Sequence, residues 1–73
     1  MKVVVWSKYD CSFCDQAKEL LRQNEITFEE RKIGDGYTKE DLLEAVPGAR
    51  SVPQIFIENE YIGGYTELAE RIG

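Results

Sequence analysis

Residues 3–24 read VVVWSKYDCSFCDQAKELLRQN, and this stretch decides the fold. Val3-Val4-Val5-Trp6 is β-branched and aromatic and predicts a buried strand, with Ser7 and Asp10 as the turn residues behind it. From Cys11 to Asn24 the period changes. Phe13, Ala17, Leu20 and Leu21 recur at spacings of three and four and predict an amphipathic helix. Asp15, Lys18, Glu19, Arg22 and Gln23 fall on its other, solvent-facing side. Asp10 or Ser12 is the expected N-cap and Asn24 the expected left-handed terminator.

Working outward, Ile26-Thr27-Phe28-Glu29 alternates apolar and polar and predicts a second strand, fading at Glu30-Arg31-Lys32 with Ile33 as its last apolar member. Asp35-Gly36 reads as a turn. Thr38 caps a short helix with Glu40 and Asp41 in its first turn and Leu42, Leu43 and Val46 as its apolar stripe, stopped by Pro47-Gly48. Gln54–Ile57 is a third strand, Glu58-Asn59-Glu60 a tight turn, and Tyr61-Ile62 the start of a fourth strand that Gly63-Gly64 ends. Thr66 is the expected cap of a last helix with Leu68, Ala69 and Ile72 inward. The order is β-α-β-α-β-β-α. Its first unit is a right-handed parallel crossover and its final hairpin is antiparallel. The expected architecture is a three-layer α/β sandwich on a four-stranded mixed sheet, one domain over residues 1–73.

The chain has no histidine, which removes the serine–histidine–acid triad, the cysteine–histidine pair, histidine-containing zinc fingers and histidine-ligated haem. Nine basic against fourteen acidic residues give a formal charge of −5, against nucleic acid as a partner. An anionic small molecule would need a local basic site. No apolar run reaches the ~18 residues of a membrane span, and Met1–Trp6 lacks the pattern of a secretory signal. The expectation is a cytoplasmic, reducing compartment, where nearby cysteines are more often catalytic or metal-binding than structural.

Cys11-Ser12-Phe13-Cys14 holds the only two cysteines, at a strand–helix junction. Residues three apart on a helix are neighbours, so a disulfide between them needs little backbone movement. Cys11 at the helix N-terminus, with Lys8 close by, should have a thiol pKa below the usual ~8.5. Asp10 and Asp15 oppose this, so a moderate shift is expected. Closing so short a loop removes only roughly 2 kcal/mol of unfolded-state entropy, which suits redox switching better than bracing. The same pair also fits half of a zinc site, which only a dimer would complete, or two inert cysteines in a helix. A Cys-x-x-Cys behind a strand in a βαβ context reads as a thioredoxin-like redox site.

Two further segments bear on function. Ser51-Val52-Pro53 precedes the third strand, and both a cis bond in a tight turn and a trans proline opening a strand fit it. Gly63-Gly64-Tyr65-Thr66-Glu67 is either a helix N-terminus whose N–H groups take a carboxylate or an ordinary glycine turn.

Together these blocks resemble a glutaredoxin over nearly the whole chain: Ser7-Lys8 before the cysteine motif, Gly48–Ile57, and Ile62–Leu68. The last two blocks are more specific than the cysteines. The resemblance implies the thioredoxin-like fold and glutathione-dependent reduction of protein disulfides or glutathionylated proteins. It makes Cys11 the nucleophile and Cys14 the resolving thiol. Lys8 and Arg50 would hold the glycyl carboxylate of glutathione. Val52, beside Ser51 and before a cis Pro53, would pair its backbone with the cysteinyl part. Beyond Gly64, the N–H groups of Tyr65 and Thr66 would take the γ-glutamyl carboxylate and Glu67 its ammonium, and Phe13 would wall the nucleophile. Ser12 and Phe13 stand where the family usually has proline and tyrosine. Members with serine there include some that bind a [2Fe–2S] cluster as a glutathione-ligated dimer, which would make Cys11 a ligand. Tyr65, Thr66 and Glu67 enlarge a segment that is usually smaller. An alternative within the same chemistry is a thioredoxin-like electron donor to ribonucleotide reductase. The expected state is a monomer.

Overall fold

A computed structural model describes residues 1–73. The elements are β1 (Val3–Lys8), α1 (Ser12–Gln23), β2 (Glu29–Ile33), α2 (Lys39–Ala45), β3 (Gln54–Ile57), β4 (Glu60–Gly63) and α3 (Tyr65–Ile72). The strands lie in the order β2-β1-β3-β4, with β1 parallel to β2 and antiparallel to β3. This is the expected mixed sheet.

Because side chains alternate across a strand, β1 feeds two cores. Val3 and Val5 meet Ala17 and Leu21 of α1, Ile55 and Ile57 of β3 and Leu68 of α3. Val4 and Trp6 meet Leu42 of α2 on the opposite face. The helices therefore sit on both faces, as the three-layer reading requires.

Several local expectations are corrected. Ser7 is not a turn residue but a buried member of β1. Neither Asp10 nor Ser12 caps α1. Cys11 is the N-cap, its sulfur accepting the Cys14 N–H at 3.2 Å. Asn24 is not left-handed; Glu25 is, at φ 58°. Glu25 N–H bonds the Arg22 carbonyl at 3.0 Å and Ile26 N–H the Leu21 carbonyl at 2.9 Å, a Schellman closure that places Ile26 against the core. That closure explains the late start of β2. Ile26 and Phe28 pack under α1 before the ladder begins, and pairing starts at Val4↔Glu29. Phe13, expected on the inner face, is 58% exposed, and Cys14 takes the inward position instead. The hairpin turn at Glu58 and Asn59 has both residues at positive φ, matching the twist of its strands. Thr38 and Asp41 cap α2 reciprocally as expected.

Lys18, expected in solvent, is buried. Its Nζ lies 2.8 Å from Oε2 of Glu30, the oxygen that also accepts the Ser7 hydroxyl at 2.6 Å. Burial alone would raise the Glu30 pKa. The hydrogen bonds from Lys18 and Ser7 and the charges of Lys18 and Lys32 outweigh it and hold the carboxyl below its ordinary value of 4.5. A carboxyl depressed on folding stabilises the fold above its unfolded pKa, and that stabilisation is lost as pH falls through the folded value. In denaturant melts, the wild-type advantage over Glu30→Gln is therefore expected to be full at neutral pH and to shrink below pH 4.5. An advantage that stays constant down to strong acid would contradict this origin.

Candidate functional site: a thiol pair beside a two-part groove

Chain geometry brings the cysteines to the C-terminal end of β1. The β1–α1 loop turns at Asp10, φ 55°, and delivers Cys11 to the first position before the helix. Tyr9 braces this loop. Its ring lies against Gly34, and the ammonium of Lys32 sits 4.5 Å from the ring centroid. Cys11 and Cys14 are joined as a disulfide, with Cα atoms 5.2 Å apart. Cys11 is partly exposed and Cys14 fully buried, so an incoming sulfur can reach only Cys11. The Cys14 N–H and the open N-terminal turn of α1 face the Cys11 sulfur, a setting that favours a negative sulfur when the pair is reduced.

The loop before β3 meets this sulfur from the other side. The Val52–Pro53 bond is cis, and the Val52 carbonyl oxygen is 3.6 Å from Cys11 Sγ. A residue that sequence reasoning did not single out holds the loop. Buried Gln54 donates from Nε2 to the Ser51 carbonyl at 2.8 Å and accepts the Tyr61 hydroxyl at 2.6 Å. A polar side chain on a strand that is otherwise apolar was the available signal.

The third wall is the start of α3. Its N-cap is Gly64, not Thr66, and Glu67 reaches back so that Oε1 accepts the Gly64 N–H at 2.8 Å. A Cβ on Gly64 would stand 3.2 Å from the Pro53 carbonyl, and Gly63 holds φ +115° beneath the Glu67 side chain. These glycines let α3 close on the proline loop. Glu67 thus spends one oxygen on its own helix. The N–H groups of Tyr65 and Thr66, in the first turn, have no helical acceptor.

Most of the expected binding residues line one groove of about 380 Å³: Phe13, Ser51–Pro53 and Gly64–Glu67. The Phe13 and Tyr65 rings face each other across it, centroids 6.1 Å apart. Lys8 and Arg50 are not in this groove. They line an adjoining cleft of about 260 Å³ that shares Ser51 and Val52 with it. Lys39, at the first position of α2, joins them there, a cation that sequence reasoning missed because only the tertiary fold brings it to the cleft. The ion pairs engage Lys18, Arg22, Arg31, Arg71 and the N-terminus; of the five other cations, Lys8, Lys39 and Arg50 meet in this cleft, while Lys2 and Lys32 lie elsewhere. A chain of net charge −5 therefore carries a local cluster of three free cations beside its thiol pair.

Residues 3–62 match the glutaredoxin family model. The chain belongs to the glutaredoxin family. A pig glutaredoxin-1 is 40% identical over 75 residues, covering 92% of this chain and 69% of that protein. Among solved structures, glutaredoxin 1 from Francisella tularensis, complexed with cacodylate, superposes with a TM-score of 0.81 at 34% identity, covering 96% and 90% of the two chains. A buckwheat glutaredoxin–glutathione complex superposes with a TM-score of 0.81 at 29% identity, covering 94% of this chain and 66% of that one. The glutaredoxin fold and the Cys11–Cys14 pair together make this chain a thiol–disulfide oxidoreductase. No helix is long and apolar enough to cross a membrane.

Proposed function

We propose that this glutaredoxin is a glutathione-dependent reductant of protein disulfides and glutathionylated proteins, acting as a monomeric single domain in a reducing cytoplasm. The observation that carries the reading is the two-part groove meeting at Val52, whose carbonyl touches Cys11. Glutathione has two carboxylates far apart and a sulfur between them. The free N–H groups of Tyr65 and Thr66 suit one carboxylate, and the Lys8, Lys39 and Arg50 cleft suits the other. The backbone of Val52 lies between them as an edge against which the cysteinyl part extends. The free oxygen of Glu67 is the partner for the ammonium. Support also comes from the buckwheat relative, whose solved complex contains glutathione.

The chemistry follows from access. The Cys11 thiolate attacks the glutathionyl sulfur or one sulfur of a protein disulfide. A new bond forms to Cys11, and the other sulfur leaves as a thiolate and takes a proton from water. Two routes then diverge. A second glutathione attacks the sulfur bound to Cys11, or Cys14 attacks Cys11 Sγ, closes the observed disulfide and releases the attached thiol. A [2Fe–2S] cluster would find one thiolate in this chain, Cys11. Cys14 is fully buried, so a glutathione-ligated dimer would hold the cluster through Cys11 of each chain. No step above needs such a cluster.

The test is a comparison of recharging systems on a glutathionylated peptide. Turnover with glutathione, glutathione reductase and NADPH is expected to exceed turnover with thioredoxin reductase and NADPH at least tenfold. The reverse order overturns the reading and favours a thioredoxin-like donor. In the same assay, Lys8→Ala combined with Arg50→Ala is expected to raise KM about tenfold with kcat little changed, since both charges act on binding. An unchanged KM removes these residues from the site.

A further inference from the structure

Lys18 is the one buried cation of the chain, at 9% exposure, and the route from Cys11 to glutathione makes no use of it. It lies one helical turn beyond Cys14 on the same inward strip of α1, so the two side chains leave the helix from neighbouring points. Its ammonium is anchored by Glu30 at 2.8 Å, and Glu30 is in turn held by Ser7 at 2.6 Å. The anchor lies on β2, the edge strand, with β1 between it and β3. The ion pair therefore joins α1, the helix that carries Cys14, to β2, with Ser7 of β1 holding the carboxylate end. Asp15 also approaches Lys18, at 3.7 Å, but its side chain is 76% exposed and its charge is screened. Lys32, two residues from Glu30 on β2, is a second positive charge acting on the same carboxylate.

We propose that Lys18 is a positioning residue for the two-thiol route, its anchored charge stabilising the negative sulfur that Cys14 must present to close on Cys11. The inference rests on Cys14 acting as the resolving thiol. In that step the Cys14 sulfur loses its proton and attacks Cys11 Sγ. The bond between Cys11 and the substrate sulfur breaks, and the released thiolate takes up a proton. No external oxidant is consumed. Cys14 is sealed from water, so water cannot solvate its charge, and a fixed neighbouring cation has its greatest effect in such a place. The route that uses Cys11 and external glutathione forms no charge on Cys14, and Lys18 is indifferent to it.

The experiment mixes fully reduced protein with bis(2-hydroxyethyl) disulfide, a neutral probe that does not need the glutathione groove. Acid quenching and intact-mass measurement follow the mixed disulfide on Cys11 as it forms and closes. Lys18→Met is expected to slow closure about tenfold, equivalent to ~1.4 kcal/mol, while formation of the mixed disulfide stays within about twofold. Lys18→Arg should restore most of the closure rate. Glu30→Gln keeps the cation and removes its counter-charge, so closure should match or exceed the wild-type rate even though the fold is less stable at neutral pH. A purely structural role predicts that Lys18→Met and Glu30→Gln both slow closure, and that result overturns the proposal, as does an unchanged rate in Lys18→Met. A Cys14→Ser control that closes like wild type would instead refute Cys14 as the resolving thiol, a separate failure.

Discussion

Cys11→Ser is expected to abolish disulfide reduction, lowering turnover by at least about three orders of magnitude, because a serine hydroxyl is not ionised near neutral pH and cannot form an exchangeable sulfur bond. No other group can substitute. The only other thiol, Cys14, is fully buried in the first turn of α1, and the chain has no histidine. The partner substitution separates the two routes. Cys14→Ser should lose reduction of protein disulfides that need two thiols and keep a substantial rate on a glutathionylated peptide, which needs Cys11 alone. Both variants should retain the fold, since Cys14 is isosteric with serine and Cys11 is partly exposed. The coupled assay with glutathione reductase reads both rates. Residual activity of Cys11→Ser near that of the wild type would end the assignment of the nucleophile.

The second large effect is on stability. Leu21→Ala should cost ~3–5 kcal/mol, because Leu21 is fully buried among Val3, Val5, Ile55 and Leu68 and the truncation leaves a cavity there. A domain of this size holds roughly 4–11 kcal/mol in total. The substitution therefore removes a large part of the margin, and the melting temperature should fall by about 15 °C or more. A shift of only a degree or two would mean that the α1–sheet interface relaxes around the cavity far better than a close-packed core allows. Leu42→Ala, on the face covered by α2, makes a useful comparison. Its cluster has three buried members rather than seven, so a smaller loss is expected there.

Much of this was readable in the chain because local and tertiary preferences agree. β3 runs over Gln54–Ile57 as its apolar run indicates, and Thr38 with Asp41 forms the capping pair that its spacing announces. The misreadings fall where a tertiary demand overrides the local signal. Ile26 and Phe28 alternate like strand residues, yet they fill space under α1 while charged Glu29–Lys32 pair with β1. Glu30 and Arg31 can do so on an edge strand because each finds a partner: Glu30 has Lys18, and the Arg31 guanidinium stacks over Trp6 at 5.4 Å. Phe13 belongs to the apolar stripe by spacing, but the helix start faces the groove rather than the core, and the ring is turned to Tyr65. In the site, the cysteines and the glycine pair were legible from motif and spacing. Lys39 and Gln54 were not, because their relevance depends on where α2 and the proline loop come to rest, and periodicity does not encode that.

The central antiparallel ladder, Val3↔Ile57 to Trp6↔Gln54, has one more consequence. The two thiols are three residues apart, and the first turn of α1 alone brings them together. The cradle beside them comes from Ser51–Pro53 and Gly64–Glu67, some forty to fifty residues away, and is brought alongside only when β3 zips onto β1. Reactivity is thus a local property of the polypeptide, and selectivity is a global one. A chain whose β3 has come away would still exchange disulfides, but indiscriminately. Cooperative folding is what keeps an intrinsically promiscuous reagent from acting on every disulfide it meets.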